Sequence, residues 1–165
     1  MAKTAEKKSK FVDPYDDTLA LFTEGLRNAG LVNDVNLLLL VDNKLKNNGK
    51  PFKVTKAGDV LKHRTGDDVI IFLNENVFEK LPDDIKALVV VEALAYVSFN
   101  SETSTVEITK PDFEAHSGVL NQHTYPRINV VRESIKTVYD VIKQEEEERK
   151  AQEAEKKKAK QKFHA

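Results

Sequence analysis

Cysteine is absent from this 165-residue chain, and its absence removes whole classes of chemistry. There can be no disulfide scaffold, Cys₄ zinc finger, thiol nucleophile or iron–sulfur cluster. Aromatic residues are sparse at 7% and most fall within apolar stripes, which leaves little for a base-stacking platform. Glycines occur only as scattered single residues, so no phosphate-cradling loop forms, and no serine sits in a G-x-S-x-G context. Long apolar runs are missing too. The longest, Ala87–Val91 with Ala93–Ala95, falls well short of the ~20 residues that span a bilayer. The opening MAKTAEKKSK is charged with no apolar stretch behind it, unlike a secretory signal. These absences lead to the expectation of a soluble, cytoplasmic protein with no membrane partner.

What is present is charge, at 32% of residues, with a formal net of only −1. The small total conceals segregation. Residues 1–10 hold four Lys against one Glu, net +3; residues 143–162 hold eight Lys/Arg against six Glu, net +2; residues 11–142 hold 14 basic and 20 acidic residues, net −6. Basic ends on an acidic body predict a disordered arm over 1–12, one domain over 13–142 and a charged helical or disordered tail over 143–165.

Within the body the periodicity alternates between helix and strand. Apolar residues from Pro14 to Ala29 recur at helical spacing, with Asp13-Pro14 at the start and Gly30 at the end. The runs Val35–Val41 and Val69–Leu73 read as buried strands, Thr105–Thr109 as a half-buried one, and Pro51–Thr55 as a further short candidate. Lys56–Lys62, with Gly58 inside it, reads as an irregular connection, and Asn74–Leu81 as a helical turn. From Pro82 to about Phe99 a helix is predicted whose apolar stripe extends so far around that it must be largely buried. Further helices are predicted over 112–123 and from Arg127 to about residue 150. The apolar stripe of the last one stops at Ile142, after which it frays into the basic tail. The predicted class is α+β: a small mixed sheet of 35–41, 69–73 and 105–109 packed against a buried central helix, with flanking helices and a long C-terminal helical extension.

Glu92 stands alone as an ionisable group in the middle of that apolar helix. A buried carboxylate needs partners or a function, and a backbone amide, Tyr96 or a basic residue from another element would each satisfy it. The stretch VIIFLNENVFEKLPDDIKALVVVEALAYVSFNSETSTVEITKPDFEAHSGVLNQH, Val69–His123, resembles the metallopeptidase domain of bacteriophage proteins. In that family a strand ending in Asn leads through a short helix to an H-E-x-x-H helix and then to an acidic downstream helix. The motif has a physical logic: imidazoles at i and i+4 share one helical face and one metal, and the Glu acts as general base for metal-bound water.

Placed on that pattern, the chain reads Val91-Glu92-Ala93-Leu94-Ala95. The base position is kept as Glu92, whereas Val91 and Ala95 at the two ligand positions cannot bind zinc. Downstream, Pro111 stands where some members carry His, while Asp112 and Glu114 remain. The resemblance therefore implies the fold and argues against the activity.

Of the four histidines, His116 follows Asp112 by four residues and His123 lies two turns further on, a spacing that surface residues of an amphipathic helix also share. His63, in a KHR triplet, reads as a solvated loop residue. The leading expectation is a catalytically inactive, metallopeptidase-like phage protein in the host cytoplasm that binds a protein partner and needs no cofactor. A hydrolase with a zinc site rebuilt from Glu92, Asp112, Glu114 and His116 is the second reading. The third is a nucleic-acid-binding accessory protein working through Lys156, Lys157, Lys158, Lys160 and Lys162 with the N-terminal lysines.

Overall fold

The computed structural model describes residues 10–47, 49–111, 119 and 125–162. Among these residues there are five helices and five strands, in the order α1 (Asp16–Asn28), β1 (Leu37–Val41), β2 (Phe52–Lys56), α2 (Asp59–Thr65), β3 (Val69–Leu73), α3 (Glu75–Phe78), α4 (Asp83–Leu94), β4 (Val97–Asn100), β5 (Thr105–Ile108) and α5 (Tyr125–Lys162). The class is α+β, as the periodicities predict. The arm before residue 10 and the predicted helix over 112–123 lie outside the described residues, Val119 excepted. No helix among the described residues is long and apolar enough to cross a membrane.

The main sheet has the order β1-β3-β2, with β1 parallel and β2 antiparallel to β3. The continuous apolar runs LLLLV and VIIFL occupy its two parallel strands, which is the pattern of strands covered on both faces. Leu39, Val69, Ile71, Leu73 and Phe52 join one core with residues of α1, α4 and α5. The start of the sheet is fixed by Asp68, whose carboxylate accepts the Asn36 N–H at 3.0 Å and pairs with Lys62 at 2.7 Å. Burial alone would raise its pKa; the hydrogen bonds from Lys62 and Asn36 win and hold it below the usual carboxylate value.

Helix α4 is the centre of the molecule. Ile85, Leu88, Val89, Val90, Glu92, Ala93 and Leu94 are all buried, so nearly every side of it faces protein. α1 packs against it through Phe22 and Leu26, and the close point is Gly25. A Cβ there would lie 2.5 Å from Val90 Cγ1 and 2.8 Å from Leu94 Cδ1. That contact accounts for a glycine in mid-helix, where it costs about 1 kcal/mol relative to alanine.

Three elements differ from the sequence expectations. The helix predicted over 82–99 ends at Leu94, and Val97–Asn100 turns back as β4 to pair antiparallel with β5 in a separate two-stranded ribbon. Thr105–Ile108 is thus paired with β4 and has no place in the main sheet. The confusion is physical: Tyr96 and Val97 continue the helical spacing, yet Val97-Ser98-Phe99 also alternates as a strand does. Asn100 settles the matter by accepting the N–H groups of Glu102 and Thr103 through Oδ1 at 3.0 and 3.3 Å, which closes the turn.

Second, residues predicted as an irregular connection form α2. It buries nothing and so has no apolar period. Asp59 in its first turn, Lys62, His63 and Arg64 in its last, and Gly66 at φ +80 complement and close it instead. His63 is accordingly a solvated helix residue and not a loop residue. Third, α5 continues to Lys162 without fraying at 150. Beyond Ile142 its described side chains are exposed. The sequence there places Glu145 and Glu146 four residues before Arg149 and Lys150, the orientation that supports an exposed helix.

The support of the domain thus ends where the apolar stripe ends. A chain stopped after Glu146 should unfold in urea within about 0.5 kcal/mol of the full chain. Ile135→Ala, at a position 1% exposed, should cost about 2–5 kcal/mol. A large loss on truncation would mean that the exposed helix carries folding energy.

Candidate functional site

The general-base position of the motif sits in the third turn of α4, and Glu92 is 5% exposed there. Its partner comes from a distant turn. Between β1 and β2 the chain reverses at Asn47–Lys50, where the Lys50 N–H donates to the Asn47 carbonyl at 2.7 Å and the Asn47 side chain donates to the Phe52 carbonyl at 2.7 Å. Gly49 at φ +79 lies inside this reversal, a conformation that glycine adopts without strain. The reversal delivers Lys50 toward α4.

There its ammonium lies 2.8 Å from Glu92 Oε1 and donates to the Tyr96 hydroxyl at 2.8 Å. It also lies over the faces of Tyr96 and Phe52, at 5.1 and 5.8 Å from the ring centroids, and those rings meet edge to face at 6.0 Å. The angles at Oε1 do not make a well-directed hydrogen bond, but at 2.8 Å between opposite full charges the ion pair is the partner that counts. Burial alone would lower the pKa of Lys50. The Glu92 charge and hydrogen bonding to Glu92 and Tyr96 outweigh it, and the pKa rises above its ordinary 10.5.

The neighbouring positions point elsewhere. Val91 and Ala95 pack against a small apolar cluster of Val119 and Ile128. Together with Leu21, Val90 and Leu94 they also line an apolar cavity of about 500 Å³ between α1 and α4. The pattern that would gather two imidazoles and a carboxylate around one ion has come apart: the ligand positions are apolar packing, and the carboxylate is clamped by an ammonium. Zinc does not fit the residues present at positions 91, 92 and 95, and no group of three His, Asp or Glu side chains able to hold a metal occurs among the described residues.

Asp112, Glu114, His116 and His123 lie outside the described residues. Lys156, Lys157, Lys158, Lys160 and Lys162 lie on the backbone of α5, and their side chains lie outside what the structure describes. Sequence reasoning left the partner of Glu92 open among an amide, Tyr96 and a basic residue. The structure selects the basic residue and adds Tyr96 as that residue's hydrogen-bond acceptor. Nothing in the GKPF stretch singles out Lys50 by itself.

The pair yields a linked set of outcomes. Lys50→Met strands a buried carboxylate and should cost more than the ~1 kcal/mol of an exposed pair, toward the 3–5 kcal/mol of a buried one. Adding Glu92→Leu should recover most of that loss, giving a large coupling in a double-mutant cycle. A group with a raised folded-state pKa contributes fully below its unfolded value and loses its contribution as pH rises through the folded one. The contribution of Lys50 should therefore be present in full at neutral pH and fade as pH rises above 10.5. Denaturant titrations across pH check both outcomes, and additive single variants would remove the pair from its central role.

Residues 14–143 match the family described as "Putative phage metallopeptidase". That span runs from the residues leading into α1 to the last apolar turn of α5 and contains α4 with its altered motif. No curated protein and no solved structure gives a significant match. With well over half of its length matched, the chain belongs to the phage metallopeptidase family.

Proposed function

We propose that this member of the phage metallopeptidase family has given up metal-dependent hydrolysis and acts by binding a protein partner in the infected cell. One observation carries the proposal: the two positions that would supply imidazoles hold Val91 and Ala95, and both pack into an apolar cluster with Ile128. Returning a metal would require two ligands and the removal of that packing.

Glu92 supports the same reading. Its carboxylate is engaged by Lys50 at 2.8 Å, so the positive charge that a metal would bring is already supplied by the chain. A general base must reach the proton it abstracts, and Glu92 is buried and paired with Lys50 instead. What the family fold retains is a rigid α+β body with cavities between its helices, and concave surfaces of this kind serve recognition as readily as chemistry.

Elemental analysis of untagged protein purified without chelator tests the proposal. The expected result is less than stoichiometric zinc or manganese and a melting temperature unchanged by EDTA. Near-stoichiometric metal, removed by chelator with loss of stability, would overturn it. It would also direct attention to Asp112, Glu114 and His116 as a rebuilt site with Glu92.

A further inference from the structure

A second cavity, of about 510 Å³, lies on a different side of the molecule, between the β1–β2 loop and α5. Lys44 and Lys46 stand on the loop wall, and Lys136 and Lys143 on the helix wall. All four are exposed, and none forms an ion pair with another described residue. Arg132 adds a fifth positive charge, against three carboxylates, Glu133, Asp140 and Glu146, all on α5. The lining is thus net +2 (five minus three), on a domain whose residues 11–142 sum to −6. Between the charged walls, Leu45, Val77, Tyr139 and Ile142 provide an apolar lining, buried or half-buried.

The loop wall is held in place before any ligand arrives. Buried Asn74 donates through Nδ2 to the carbonyls of Asn43 and Leu45 at 3.3 and 3.1 Å, and its Oδ1 accepts the Val77 N–H at 3.2 Å. The Asn76 N–H donates to Asn43 Oδ1 at 3.1 Å, and the Tyr139 hydroxyl to the Leu45 carbonyl at 3.3 Å. Backbone groups of the loop are consumed inward while Lys44 and Lys46 project outward. A ligand would not have to order this wall, which removes one of the larger costs of association.

We infer that this groove docks an acidic peptide segment of the protein partner. Its carboxylates would meet Lys44, Lys46, Lys136 and Lys143, and an apolar side chain would rest on Leu45, Val77, Tyr139 and Ile142. The inference rests on the partner-binding reading above and names the partner's chemistry. A nucleic acid suits the groove less well. A continuous row of phosphates along α5 would face Glu133, Asp140 and Glu146, and the apolar lining offers a phosphodiester nothing. A peptide can place acidic residues on one side and a neutral or apolar one on the other.

The test is a random peptide display selection on the full-length chain, with the strongest clone then measured as a labelled peptide by fluorescence anisotropy. The expected clones are rich in Asp and Glu around an aromatic or aliphatic residue, and rising salt weakens them. Lys44→Glu with Lys46→Glu should reduce affinity at least about tenfold, and so should Lys136→Glu with Lys143→Glu on the opposite wall. Lys53→Glu, exposed on β2 outside the groove, should leave affinity unchanged. Because all these positions are exposed, melting curves will separate lost binding from lost folding.

No acidic enrichment, peptides indifferent to both charge reversals, or a single-stranded oligonucleotide that displaces the peptide would each overturn the inference. Indifference to charge reversal with binding intact would sink the groove and leave partner binding standing. Failure of the partner-binding reading itself shows instead as stoichiometric metal.

Discussion

A helix with apolar residues on almost every side must be surrounded, and α4 imposes that requirement on everything else. Ile85, Leu88, Val89, Val90, Ala93 and Leu94 leave it only a narrow exposed edge at Asp83, Asp84 and Ala87. α1 therefore packs on one side, close enough at Gly25 to exclude even a methyl group. Phe52 of β2 and the strands beside it join the same core, as do Val131 and Ile135 of α5. Charge is the complication. A carboxylate in the middle of such a helix is costly to bury alone, so the β1–β2 turn is shaped to bring Lys50 across to it. The apolar burial fixes where the helix lies, and the ion pair fixes which loop must reach it.

The same helix carries the positions that align with the H-E-x-x-H motif, and the apolar residues at two of them have a packing consequence. Val91 and Ala95, at the two positions that align with the motif's ligands, pack in an apolar cluster with Val119 and Ile128. Glu92 has a positive partner of its own in the Lys50 ammonium. An ammonium between two aromatic faces and a carboxylate ties elements together: its ion pair with Glu92 and its hydrogen bond to Tyr96 hold the loop to the core.

Charge on the rest of the chain is distributed with equal economy. Asp68 and Lys62 tie α2 to the sheet, and Lys10 reaches Asp42 near the sheet's edge. Lysines with no ion-pair partner among the described residues gather along the groove beside α5, whose loop wall Asn74 and Tyr139 have already fixed. The outer half of α5 carries no apolar face and stays helical because glutamates precede arginine and lysine by one turn. An acidic body with one basic, partly apolar groove has an electrostatic direction, which gives the groove a preference among partners.

The sequence by itself determined the elements whose signals are local. The paired apolar runs of β1 and β3, α1 with its closing Gly30, the largely apolar α4 and the stripe of α5 that stops at Ile142 were legible residue by residue, although α1 starts at Asp16 behind Tyr15 with no side-chain cap and not at Asp13-Pro14. So was the absence of zinc ligands at Val91 and Ala95, because ligand chemistry is a property of residue type alone. Glu92 was legible as a buried charge in need of a partner. Tertiary structure alone decided what that partner is, since Lys50 lies 46 residues before the Tyr96 it also binds and nothing in a lysine after a glycine marks it as buried. It also decided that Val97–Asn100 leaves the helix for a strand, because helical and strand spacing coincide over those few residues and the tie is broken by pairing with Thr105–Ile108 across the turn that Asn100 closes. Pattern along a chain reports which faces need cover; which distant residue provides it depends on closing loops in three dimensions, and one-dimensional periodicity carries no record of that.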